Sequence, residues 1–152
     1  MGKKDRVITS PWKIFKETGL CQFSLVLPSP SVKNEGPRLI LEGIPPKNGG
    51  YDWSNEIAVG MDISEIGELI DGLESGLSTP VDVHHEISKR ERTDKILIFS
   101  GYNDGIKLDF IVRIEGSEIR NVELYLNKTE TLLFKLLLNS AVISMMGFLG
   151  KR

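Results

Sequence analysis

The two histidines of this chain stand side by side, His84 and His85, with Glu86 directly after them. Two imidazoles and a carboxylate are raw material for a metal site or for general acid–base chemistry. The surrounding "VDVHHEI" reads as a strand, however, and neighbouring strand side chains point to opposite faces. The imidazoles therefore cannot converge on one ion, and the helical i, i+4 spacing of a zinc protease is absent. No glycine-rich phosphate loop follows a strand, and no nucleophile elbow occurs. The carboxylates are scattered, and "IEGSE" (114–118) reads as a hairpin turn. The single cysteine, Cys21, lies in the apolar run "LCQFSLVL" and is expected to be a buried, unreactive thiol. One cysteine allows no intrachain disulfide and fits a reducing compartment. The expectation is a protein with no catalytic step, no metal and no cofactor.

Binding chemistry is better represented. Lys13, Gln22, Ser24, Arg38, Lys107 and Arg113 fall on the polar faces of expected strands, and aromatics cluster near strand ends: Trp12, Phe15, Tyr51, Trp53, Phe99 and Tyr102. Rings among separated cations suit single-stranded nucleic acid, because bases stack on rings while cations follow phosphates. In this reading Lys13, Lys16, Arg38, Lys107 and Arg113 contact phosphate. Gln22 and Ser24 make polar contacts, and Trp12 and Tyr51 stack on bases. Phe15 and Phe99 read as core side chains, and Trp53 as structural. A net charge of −2 and a pI near 5.7 exclude a dedicated polybasic binder, so any nucleic-acid site must be a local patch.

The elements that would position these residues follow from periodicity. Strands are expected over 11–16, 20–27, 37–44 and 52–61, with breaker-rich loops over 28–36 and 45–50. In the second strand Cys21, Phe23, Leu25 and Leu27 share one face, and Leu20, Gln22, Ser24 and Val26 the other. Asp62 then caps a helix, with Glu65 at capping-box spacing and Ile63, Ile66, Leu69, Ile70 and Leu73 at helical spacing. The second half repeats the order: strands over 81–87, 94–101, 106–115 and 118–126, then a helix capped by Asn127 with Glu130 three residues on. The length of 152 residues suits one domain. The expectation is a single α+β domain of two tandem four-strand-plus-helix units, 11–76 and 80–149.

The last helix carries Leu132, Leu133, Leu136, Leu137, Leu138, Val142, Ile143, Met145, Met146 and Phe148. A helix apolar on most sides is buried on most sides, which predicts an oligomer with these helices at its centre. The segment 132–150 is about long enough to span a bilayer. Lys135, Asn139 and two serines argue against that, since a charge at depth is costly, and no membrane partner is expected.

Several stretches carry a resemblance. "YDWSNEIAVGMDISEIGELIDGL" (51–73) resembles a segment of the Whirly family of single-stranded DNA-binding proteins, in which Tyr-Asp-Trp opens a strand that runs into a helix with an Ile-Gly-x-Leu core. "VDVHHEI" resembles the strand after that helix, with His85 and Glu86 at a His-Asp pair. "LNKTETLLFKLLLNSAVISMMGFL" resembles the family's terminal helix. The resemblance runs from about Trp12 to Phe148. It implies four protomers arranged like a whirligig, with single strands along the sheets and between protomers, and a role in replication, recombination, repair or transcription. The guide-RNA-binding proteins of kinetoplastid mitochondria are similar in fold, so RNA binding and a non-catalytic protein scaffold stand as alternatives. One departure concerns the Lys-Gly-Asn-Lys-Gly-like motif of the plant proteins. Here "FKETGL" (15–20) keeps Lys16 and Gly19 but has Glu17 and lacks the second lysine. The N-terminus shows neither a secretory signal nor a transit peptide. The expected location is cytoplasmic or nucleoid-associated, or organellar for a processed form.

Overall fold

A computed structural model describes residues 6–8, 12–28 and 36–150. Most of the loop expected over 28–36 therefore lies outside the described residues. Two short strands, β1 (Arg6–Ile8) and β2 (Trp12–Lys16), pair antiparallel with successive stretches of β3 (Gly19–Pro28) and act as one interrupted edge strand. β4 (Arg38–Ile44) lies on the other side of β3. A small hairpin of β5 (Pro46–Lys47) and β6 (Gly50–Tyr51) follows, and β7 (Ile57–Met61) pairs with β4. Helix α1 (Ile63–Glu74) leads to a four-stranded meander: β8 (Val81–Ser88), β9 (Thr93–Tyr102), β10 (Gly105–Ile114) and β11 (Ser117–Leu126). Helix α2 (Lys128–Gly150) closes the described chain. The architecture is α+β with antiparallel sheets and two helices.

Both helices start where the sequence places them. Asp62 accepts from the Glu65 N–H at 2.8 Å, and Glu65 accepts from the Asp62 N–H at 3.0 Å. Asn127 and Glu130 make the same reciprocal pair at 2.8 and 3.0 Å. Each box satisfies two helix-end donors.

Strand alternation gives each sheet an inner and an outer face. The inner face of the first sheet carries Ile14, Cys21, Phe23, Leu39, Leu41, Ile57, Val59 and Met61. The second contributes Val83, Leu97, Phe99, Leu108, Phe110, Val112, Val122 and Leu124, and all belong to one buried cluster. Cys21 is fully buried, and burial pushes its thiol well above the ordinary value. The sheets meet closely at Gly43, where a Cβ would stand 2.6 Å from the Phe110 ring. A second approach occurs at Gly19, whose φ of +154° and proximity to Ile44 O and Val122 Cγ1 leave no room for a side chain.

One expected strand is corrected. Residues 52–56 of the strand read over 52–61 lie outside it: Trp53–Asn55 form a 3-10 turn, and β7 begins at Ile57. The cause is local. The Asp52 carboxylate accepts from Ser54 Oγ at 2.6 Å and Asn55 Nδ2 at 2.7 Å, and the Asn55 N–H donates to Asp52 O. Such short side-chain bonds compete with a strand ladder.

Replacing Gly43 by Ala forces a methyl group against the Phe110 ring in a filled core. Overpacking of this kind costs about 1–3 kcal/mol, and a urea titration of G43A should show that loss as a lower midpoint with an unchanged slope.

Candidate nucleic-acid interface

The outer face of the first sheet is ordered in rows by its register. Lys13 lies opposite Gln22, Gln22 opposite Glu42, and Glu42 opposite Ala58. The next row is Ser24, Ile40 and Gly60, and the one beyond pairs Val26 with Arg38. Four expected contacts, Lys13, Gln22, Ser24 and Arg38, thus share one face. At one end Phe15 joins them, opposite Leu20, and 62% of it is exposed. Tyr51 flanks Phe15 with ring centroids 5.9 Å apart, and its hydroxyl donates to Lys16 O at 3.0 Å. Lys13 Nζ sits 5.7 Å from the centre of the Trp53 ring, which is 47% exposed. Three rings and a cation therefore border a polar sheet face.

Two of these rings were read otherwise from sequence: Phe15 as core and Trp53 as structural. The structure exposes both. Trp12, expected to stack on bases, lies on the inner face instead, stacked on Phe23 at 5.1 Å and packed against the core. The signal that separates Phe15 from Trp12 is parity. Ile14 is buried, so Trp12 shares its face and Phe15 shares that of Lys13. Phe99 is core, as expected.

Lys16 is also set apart. Its Nζ pairs with the Glu130 carboxylate at the start of α2. Burial would raise the Glu130 carboxyl, but the Lys16 hydrogen bond and the Asn127 N–H outweigh it and hold the carboxyl below its ordinary value. Lys107 and Arg113 lie on the outer face of the second sheet. Lys107 is 3.6 Å from the Glu123 carboxylate and lies over the Tyr125 ring, and Arg113 stands opposite Glu118. Asp109 and Asp82 share that face. The Asp109 carboxyl is raised chiefly by burial, with Glu123 and Glu118 adding to the rise. The two faces thus differ in electrostatic character, and the expected site residues divide between them.

The histidines leave β8 in opposite directions. His84 Nε2 meets Asp94 at 3.0 Å, and His85 Nε2 meets Glu65 of α1 at 2.9 Å. The His84 hydrogen bond is the main reason that the Asp94 carboxyl lies below its ordinary value. Among the described residues no group of three metal-ligating side chains gathers.

No protein-family model matches the sequence, and no curated protein sequence matches it. A solved structure does match. The plant transcriptional regulator PBF-2, a Whirly protein, superimposes with a TM-score of 0.73 over 95% of this chain and 86% of that one, at 18% identity. At this identity the likeness is one of fold, and the fold seen here is the Whirly fold.

Beside the Lys13–Gln22 row, Glu56 hydrogen-bonds to Glu42. That bond, partial burial and the Glu42 charge push the Glu56 carboxyl up to about 7. Its folded value lies above the ordinary 4.5, so its contribution is complete below about pH 4.5 and is lost as pH rises through about 7. Between pH 5 and pH 8 the melting temperature of the wild type should fall relative to that of Glu56→Gln. The difference should be on the order of a few degrees at most, because solvent screens the pair.

Proposed function

We propose that this chain binds single-stranded DNA on the outer face of its first sheet, with little sequence preference overall, as a homo-oligomer and without a chemical step. The observation that carries the reading is the pair of exposed rings, Trp53 beside Lys13 and Phe15 flanked by half-buried Tyr51, on the face that also holds Gln22, Ser24 and Arg38. Stacking on rings tolerates any base, and the polar row beside them suits a sugar–phosphate chain. The fold shared with a plant transcriptional regulator supports a role in genome transactions such as transcription, recombination or repair. Lys107 and Arg113, among the carboxylates of the other sheet, contribute less to binding in this reading than Lys13 and Arg38.

Self-association follows from α2. Its Thr131, Phe134, Leu138, Ala141 and Met145 form one buried stripe, while Leu132, Leu133, Leu136, Ile143, Met146 and Leu149 are exposed. The helix is long and apolar enough to cross a membrane by length and composition. Lys135, Asn139 and Ser140 interrupt it, and its buried stripe is joined to both sheets. A second copy of the same helix covers the exposed leucines more economically than lipid, and a tetramer with α2 at its centre is the assembly proposed.

Fluorescence anisotropy with a labelled single strand, with duplex and RNA of matched sequence as competitors, tests the binding reading. Phe15→Ala with Trp53→Ala should weaken binding at least tenfold, since each stacked base is worth roughly 1–3 kcal/mol. Lys13→Ala with Arg38→Ala should lower the salt slope by about 1.4, at about 0.7 per phosphate contact. Equal loss from Lys107→Ala with Arg113→Ala would move the site to the other sheet. For the assembly, Leu136→Glu with Ile143→Glu should reduce the mass seen by light scattering to that of a smaller species. An unchanged mass would remove α2 from the interface.

A further inference from the structure

Between the β4–β7 connection and strand β11 lies an open cleft of about 360 Å³, walled by Pro45, Asp52, Asn55, Arg120, Asn121 and Val122. A chain of hydrogen bonds crosses it. Asn55 Nδ2 donates to Asp52 Oδ2 at 2.7 Å, while Arg120 Nη1 donates to Asn55 Oδ1 at 3.3 Å. Asn55 thereby fixes a carboxylate on one wall relative to a guanidinium on the other. Ser54 Oγ holds the second carboxylate oxygen at 2.6 Å. These bonds, that of Ser54 first and that of Asn55 next, keep the Asp52 carboxyl below its ordinary value and so ionised as an acceptor.

The walls are not saturated. A guanidinium has five N–H donors, and among the described residues Arg120 gives one of them to Asn55. The Asp52 carboxylate has about four acceptor directions, and the Ser54 and Asn55 side chains take one on each oxygen. The cleft therefore has donors on one side and an anionic acceptor on the other. Guanine is the nucleobase with the matching edges: O6 and N7 accept from an arginine fork, and N1–H with the 2-amino group donates to a carboxylate. Adenine, cytosine and thymine each set acceptors beside a single donor nitrogen, so none offers a carboxylate the two-point N1–H and 2-amino contact of guanine together with an acceptor pair for the fork.

The cleft adjoins the stacking face. Asp52 and Asn55, three residues apart, lie on one side of the 3-10 turn, and Trp53 between them turns its ring toward Lys13. The cleft residues Asp52 and Asn55 thus flank the Trp53 ring in the same turn.

We infer that the Asp52–Asn55–Arg120 cleft is a guanine-reading pocket beside the stacking face, adding a preference at one position to otherwise sequence-tolerant binding. This rests on the single-strand reading above.

The test compares the full chain's affinity for oligo-thymidylate and for the same length with guanines isolated among the thymines. The wild type should prefer the guanine-containing strand about tenfold, within the range for a bidentate base contact. Arg120→Ala should erase that preference and leave oligo-thymidylate binding unchanged, and Arg120→Lys, which lacks the fork, should erase most of it. A merely structural tether between Arg120 and Asn55 predicts no guanine preference to lose. Equal affinity for both strands, or a preference that survives Arg120→Ala, would overturn the pocket while single-strand binding stands. If oligo-thymidylate does not bind at all, the parent reading fails. Guanosine monophosphate then probes the pocket alone: NMR shifts at the Asn55 and Arg120 side chains, absent with the adenosine and cytidine monophosphates, support it, and no shift overturns it.

Discussion

The Phe134 ring, wholly buried, touches Phe23 of the first sheet at 5.2 Å between centroids and Phe99 of the second at 6.0 Å. One side chain of α2 thus ties both sheets together. It adds to the places where the sheets meet directly, Gly43 against Phe110 and Gly19 against Val122. With it, one apolar cluster runs from Ile14 to Met145, and hydrophobic burial, which scales with apolar area, acts on the whole chain at once. The close approach of Gly43 to Phe110 belongs to the same seam.

This seam decides what remains outside. A sheet that buries one face must present the other, and strand alternation forces a regular choice of which side chains appear there. On the first sheet the choice yields Lys13, Phe15, Gln22 and Ser24. On the second it yields Lys107 and Arg113 together with Asp82, Asp109, Glu118 and Glu123. The same construction gives one face of exposed rings, amides and cations with Glu42 among them and another richer in carboxylate. The mildly acidic total of the chain hides this division, because net charge sums over both faces.

Helix α2 shows how a single element serves two demands. Its buried positions follow spacings of three and four, enough to fill the seam. Leu132, Leu133, Leu136 and Leu149, with Ile143 and Met146, face outward, and the groove beside α1 is lined by Ile70, Leu73, Leu132 and Leu136. The apolar character of the helix on most sides was plain in its composition. Which side of it the chain itself covers was not, since that depends on where the two sheets stand.

The sequence by itself determined the order of the longer strands and the two helices, both capping boxes and the alternation that sorts Cys21, Phe23, Leu39 and Leu41 from Gln22, Ser24 and Arg38, but not β1 or the β5–β6 hairpin inside the expected 45–50 loop. These depend on residues within a few positions of each other, where helix and strand periodicity act directly. The Asp52 turn was local too, but its aspartate, serine and asparagine had to be weighed against a strong apolar alternation beyond them. What only the tertiary structure decided was the use of each face. "WKIFK" (12–16) carries an aromatic and a lysine on both sides, so its pattern alone does not say which side is core. The second sheet and Phe134 cover the side of Trp12, leave Phe15 in solvent, and draw Lys16 to Glu130. In the same way, the carboxylates around Lys107 and Arg113 come from neighbouring strands. Packing and electrostatics act through space, and partners brought together from distant parts of the chain are set by the fold.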